Sequence, residues 1–129
     1  MGPMDDLLEV DLPANTPSLR VARLVLWEAA TRAGFDCDAA DDLCLALDEV
    51  CFAAFTRVGP GDRLILRIRS TDGVDVEGHV RMAGPDRSPE LGVLAQTLLA
   101  VAIDEFEYEK RADGVHFTMR KRAPVMEYR

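Results

Sequence analysis

The spacing of apolar and polar residues predicts an alternation of strands and helices along the chain. Strand patterns, in which apolar and polar residues alternate, cover residues 6–12, 62–69, 74–82 and a closing hairpin around 112–114. Three other segments repeat apolar residues every three or four positions, as amphipathic helices do. The predicted order of elements is therefore β-α-α-β-β-α-β-β.

Residues with capping preferences set the predicted ends of the helices. Thr16, followed by a proline, is typical of a helix start, and Gly34 is typical of the residue just after a helix. Asp38 is the predicted cap of the second helix. Ser88 is the predicted cap of a third helix over residues 89–103.

This order of elements predicts an α+β fold, a two-layer sandwich in which about three helices cover one face of a mixed, mostly antiparallel sheet. The 129 residues suit a single domain. Residues 1–5 are interpreted as a tag remnant or a disordered end, and residues 123–129 as a tail. The second face of the sheet is predicted to be polar and hydrated, with Arg63, Arg67, Glu107 and Glu109.

Two adjacent acids interrupt an apolar stretch of the second helix, LALDEVCFAAF (45–55). A helix that is apolar almost all round is predicted to be buried on more than one side. Periodicity alone favours Asp48 and Glu49 at the solvent or at a groove edge, held by an arginine. The alternative is that Glu49 lines a functional cleft.

Composition narrows the possible partners. The net charge is −8 and the pI is near 4.7, so the chain repels a phosphate backbone and favours partners with positive charge. Direct nucleic-acid binding is not expected. No apolar run reaches the length of a membrane span and no signal peptide opens the chain, so we expect a cytoplasmic protein.

The cysteines and histidines do not predict a metal site. Cys37, Cys44 and Cys51 lie seven residues apart, a poor match to zinc-ligand spacing, and an odd number of unpaired thiols suits a reducing compartment. His79 and His116 fall at outward positions of strands and are not spaced as a metal pair. They are interpreted as ordinary surface residues.

Three stretches resemble those of a known family: DDLCLALDEVCFAAF (41–55), GHVRMAGPD (78–86) and LLAVAIDEFEYEKRADGVHFTMRKR (98–122). Together with the order of elements they resemble the GHKL ATPase fold. More narrowly, they resemble the RsbW/SpoIIAB group of anti-sigma factors and serine-protein kinases, in a divergent form of actinobacterial type.

The resemblance implies a nucleotide site that departs from the family pattern. Glu49 matches the family's general base, but Ala53 stands where an asparagine holds Mg²⁺, and Mg²⁺ requires oxygen ligands. Met82 takes the position of the adenine-binding aspartate, Gly84 is kept, and Asp86 replaces a second glycine. The predicted ATP site is therefore degenerate, and neither ATP nor Mg²⁺ is expected as a cofactor.

The resemblance also implies a function. The expected protein is a homodimeric anti-sigma factor that sequesters an alternative sigma factor, of stress or sporulation type, and is released by an anti-anti-sigma partner with a STAS domain. Arg20 and Arg23, on the first helix, are the expected partner-binding residues. One alternative is an active ATP-dependent serine kinase that phosphorylates the STAS partner, with Asp48 or Thr56 replacing the missing ligand. Another is an interaction module of a two-component or phosphatase pathway.

Overall fold

The computed structural model describes residues 7–82 and 90–124. Within them, the strands and helices follow the predicted order. They are β1 (Leu7–Pro13), α1 (Ser18–Arg32), α2 (Cys37–Ala54), β2 (Arg63–Ser70), β3 (Gly73–Arg81), α3 (Val93–Ala102), β4 (Glu105–Arg111) and β5 (Gly114–Arg122). A single 3₁₀ turn, Phe55–Arg57, extends α2.

The five strands form one sheet in the order β1-β2-β3-β5-β4. Every neighbouring pair is antiparallel, so the mixed sheet of the prediction is replaced by a fully antiparallel one in this part of the chain. β2 and β3 form one hairpin and β4 and β5 another, and the pairing of β3 with β5 places the two hairpins side by side. Residues far apart in the sequence are thereby paired, among them His79 with His116.

The buried residues form one core between the sheet and the helices. Leu64, Leu66 and Ile68 of β2 are fully buried and pack with the apolar stripes of α1 and α2. The side chains on the other face of the sheet are largely charged. They form ion pairs between neighbouring strands, such as Arg67 with Glu9. The architecture is an α+β arrangement compatible with a two-layer sandwich, and the predicted polar second face is confirmed.

The helix caps lie close to the predicted ones but not on the same residues. α2 begins after Asp36, whose carboxylate accepts a hydrogen bond from the Ala39 N–H at 2.9 Å, and the predicted cap Asp38 lies in the first turn. Asn15, rather than Thr16, binds the start of α1, since its side-chain oxygen accepts from the Ser18 N–H at 3.0 Å. Gly34 follows α1 with a φ of 88°, as predicted for a left-handed residue.

The third helix is shorter than predicted. It begins at Val93, and the residue before it, Gly92, has an extended backbone with a ψ of 162°. Glycine is a poor helix former, which explains why the helix does not extend back to residue 90. Ser88 and Pro89 lie outside the described residues. None of the helices within the described ranges combines the length and the apolar character needed to cross a bilayer.

Candidate functional site

The predicted catalytic residue lies one helical turn from the predicted metal position. Glu49 and Ala53 are both on α2 and both half-buried. Within residues 7–82 and 90–124, the Glu49 carboxylate forms no ion pair or hydrogen bond. Ala53 supplies only its backbone carbonyl, which accepts from the Thr56 hydroxyl at 2.9 Å. The Thr56 hydroxyl thus donates its hydrogen to the end of α2, and its oxygen keeps its lone pairs.

The acid next to Glu49 binds an arginine. Both carboxylate oxygens of Asp48 accept from Nη1 of Arg23, at 2.9 and 3.0 Å, and this contact joins α2 to α1. The Asp48 side chain is 16% exposed and that of Arg23 is 41% exposed. Of the two adjacent acids, Asp48 is therefore the one that binds an arginine. Both of its carboxylate oxygens are already bound by the positively charged Arg23.

Of the residues predicted for the adenine side of the site, the structure describes Met82. Met82 is buried, and its N–H donates to the Asp113 carbonyl oxygen at 3.0 Å. Its side chain belongs to the core and is not available to a base. Gly84 and Asp86 lie outside the described residues.

A cleft of about 520 Å³ lies elsewhere, between α3 and β4. Its walls include three carboxylates, Glu90, Asp104 and Glu105. Glu90 pairs with Lys110, and Asp104 accepts from the Arg122 N–H at 2.7 Å. The acidic lining opposes a triphosphate, and none of the predicted site residues that the structure describes takes part in it.

A half-buried tyrosine, Tyr108, lines the same cleft. Burial, with smaller contributions from Glu90 and Cys51, raises the pKa of Tyr108 to about 12. The Tyr108 phenol therefore stays neutral at physiological pH. It contributes no charge to the cleft.

The two arginines predicted to bind a partner differ in their surroundings. Arg23 is held by Asp48. Arg20 is exposed, and its guanidinium has no ion pair or hydrogen bond to any residue that the structure describes. Beside it on α1, Val21 and Leu24 are 44% and 68% exposed. Arg20 is therefore the arginine that is available to a partner, with apolar surface next to it.

A second apolar surface was not identified from the sequence. On α3, Val93, Leu94, Leu98 and Val101 are 80%, 73%, 38% and 84% exposed, and they fall on one side of the helix. We call these four residues the apolar α3 face. Leu99 is the buried residue of this helix. The apolar composition of α3 was visible in the sequence, but composition does not tell a core helix from an exposed one.

Comparison with known proteins adds no family assignment. No protein-family model matches the chain, and none of the curated proteins matches it at a significant level.

Proposed function

We propose that the chain is an anti-sigma factor that captures an alternative sigma factor, of stress or sporulation type, by stoichiometric binding. The observation that carries this proposal is the apolar α3 face, four large side chains exposed on one helix. Contiguous apolar surface of this kind marks protein interaction sites in soluble domains. Amphipathic helices of a partner are its natural occupants.

The charge of the chain supports a basic partner. A net charge of −8 raises the rate of encounter with positively charged proteins and makes binding sensitive to salt. Sigma factors carry basic surfaces where they engage DNA and polymerase, and these surfaces complement an acidic captor. Arg20 would supply a directed contact at the edge of such an interface, since arginine binds carboxylates with a planar fork.

The contacts around Glu49 favour capture over phosphate transfer. A serine kinase of this type needs Mg²⁺ held by oxygen ligands, and Ala53 offers no side-chain oxygen. Of the two substitutes considered for the missing ligand, Asp48 has both oxygens bound by Arg23, whereas Thr56 donates its hydroxyl hydrogen to the Ala53 carbonyl and keeps its oxygen lone pairs. The active kinase is the second candidate, because the resemblance assigns the general base to Glu49 and the Thr56 oxygen can still bind a metal ion.

The finer parts of the proposal come from the resemblance of residues 41–55, 78–86 and 98–122. These are the GHKL fold, a homodimer, a cytoplasmic location and release by a STAS-domain partner. If no nucleotide binds, release depends on competition for an overlapping surface or on modification by another kinase. The α+β order of elements is compatible with this assignment.

A capture experiment with a matched pair of variants tests the proposal. The tagged chain is used to isolate partners from its native cell, and the sigma factor recovered is then titrated by calorimetry. Arg20→Glu is expected to weaken binding about tenfold or more, since arginine is enriched among the interface residues whose loss costs more than about 1 kcal/mol. Arg69→Glu is the control, because Arg69 is an exposed arginine on the opposite face of the sheet.

Three results would contradict the proposal. The first is a partner set without a sigma factor. The second is equal binding by the Arg20→Glu and Arg69→Glu variants, which would remove Arg20 from the interface. The third is Mg²⁺-dependent transfer of the γ-phosphate to a partner serine that is lost on Glu49→Ala, which would establish the kinase instead.

A further inference from the structure

Two histidines that are far apart in the sequence meet on the polar face of the sheet. His79 of β3 lies directly opposite His116 of β5 in the strand register, and the rings stack with their centroids 3.9 Å apart. Asp113, in the turn between β4 and β5, lies beside both. Its carboxylate is 2.9 Å from Nε2 of His116 and 3.4 Å from Nε2 of His79.

We propose that His79, Asp113 and His116 form a binding site for a divalent transition-metal ion of the zinc type. One ligand atom from each residue lies within 4.8 Å of the other two. Ligands about 2.0–2.2 Å from a tetrahedral zinc ion are themselves roughly 3.3 Å apart, close to the separation of His79 and Asp113. Two imidazoles and one carboxylate leave a fourth position for water or an external ligand.

The surroundings act on the protonation of two of the three ligands. Burial is the main cause that lowers the pKa of His79, and the contact with the Asp113 carbonyl, the second largest effect, opposes it; smaller effects of His116 and Arg81 lower the pKa further. The hydrogen bond to His116 lowers the pKa of the Asp113 carboxyl. Metal binding displaces protons from such ligands, so binding at this site is expected to weaken as the pH falls.

The turn that carries Asp113 is held by the backbone. The Asp113 carbonyl oxygen accepts from the Met82 N–H at 3.0 Å. The next residue, Gly114, has a φ of 126°, and a Cβ there would lie 1.9 Å from the Val80 carbonyl oxygen. Asp113 is thus fixed against the end of β3, and the side-chain change needed for binding is a tilt of the two stacked rings.

The neighbouring charges set the selectivity of the site. Glu109 lies opposite His116 in the register, and Arg111 holds its carboxylate at 2.8 Å. The positive charges of Arg81 and Arg111 offset the negative charges of Glu109 and Asp113. We therefore expect the site to prefer ions that favour imidazole ligands, such as Zn²⁺, over Ca²⁺ and Mg²⁺.

Calorimetric titration of the full chain with Zn²⁺ tests the site. Cys37 is an exposed thiol, so the titration uses the Cys37→Ser chain to remove a competing ligand. One ion per chain is expected, with His79→Asn and His116→Asn each weakening binding at least about tenfold, as even second-shell losses cost 10–100-fold. Asp72→Asn, at an exposed acid in the other hairpin turn, is the control and leaves binding unchanged.

A measurement on the chain with both histidines intact complements the variants. The chain has two histidines, so the imidazole NMR signals can be followed individually. Both rings are expected to shift together at one equivalent of Zn²⁺, and the shift is reversed as the pH falls and the imidazoles protonate. Unshifted rings, unchanged affinity in His116→Asn, or no saturable binding with a Kd below about 0.1 mM would overturn the proposal.

Discussion

Removal of Arg23 is expected to destabilise the fold more than removal of its partner Asp48. The two side chains form the same ion pair, but their burial differs. Asp48 is 16% exposed and Arg23 is 41% exposed. When Arg23 is removed, a largely buried carboxylate loses its donor. When Asp48 is removed, the guanidinium that remains is reached by water.

This difference in burial determines how much each substitution should lower the free energy of unfolding. A buried charged group that loses its hydrogen-bond partner costs about 1–3 kcal/mol, which is the expected loss for Arg23→Ala. Asp48→Ala loses a half-exposed pair of about 1 kcal/mol at most, and alanine returns roughly 0.5–0.7 kcal/mol of helix propensity within α2. The double variant contains no unpaired charge, so it should be more stable than Arg23→Ala alone.

Urea denaturation followed by circular dichroism measures these differences, with the fluorescence of Trp27 as a second probe on α1. Arg32→Ala is the control, because Arg32 forms an exposed pair with Glu28 on the same helix and its loss should cost no more than about 0.5 kcal/mol. If Arg23→Ala is no more destabilising than Asp48→Ala, water rather than Arg23 solvates the acid, and the account of this pair is refuted.

Two further predictions follow from close packing and from titration. Gly78→Ala should lower the free energy of unfolding by about 1–3 kcal/mol, because the new methyl would lie 2.1 Å from the buried ring of Phe117; an unchanged urea midpoint would contradict this. The pKa of Tyr108 is raised from 10.0 to about 12, so the unfolded chain releases this proton at lower pH and stability should fall as the pH rises from 10 to 12. Tyr108→Phe should remove this part of the decline in pH-dependent denaturation, and an identical decline in both chains would refute it.

The order of elements followed from the sequence because each element carries its own local signal. The alternation in β2, with Leu64, Leu66 and Ile68 inward, is the pattern that the structure buries. The left-handed Gly34 marks the end of α1 as expected. The start of α3 was wrong, because the proline at 89 and the serine before it suggested an earlier start than Val93. The pairing of strands that are far apart in the sequence, such as β3 with β5, has no comparable local pattern in the sequence.

For the site residues too, the sequence predicts contacts that depend on local pattern but not contacts that depend on how distant elements pack. An arginine partner for Asp48 was expected from the charge pattern, but that it is Arg23 depends on how α1 crosses α2. The histidine pair was dismissed because 37 positions separate the two residues, although β3 and β5 place them directly opposite. Sequence spacing predicts metal ligands only where one element or one turn carries them.

The exposed apolar surface bears on how tightly a partner can be held. Full burial of a large aliphatic side chain is worth about 1.5–3 kcal/mol, so the four residues of the apolar α3 face supply at most about 6–12 kcal/mol in gross terms. Association itself costs an estimated 4–15 kcal/mol. The apolar α3 face alone therefore gives weak binding at best. Tight capture of the proposed partner would need further contacts, and we expect the exposed Arg20 with its apolar neighbours on α1 to supply them. If capture were strong and yet insensitive to both salt and Arg20, this division of the binding energy would be wrong.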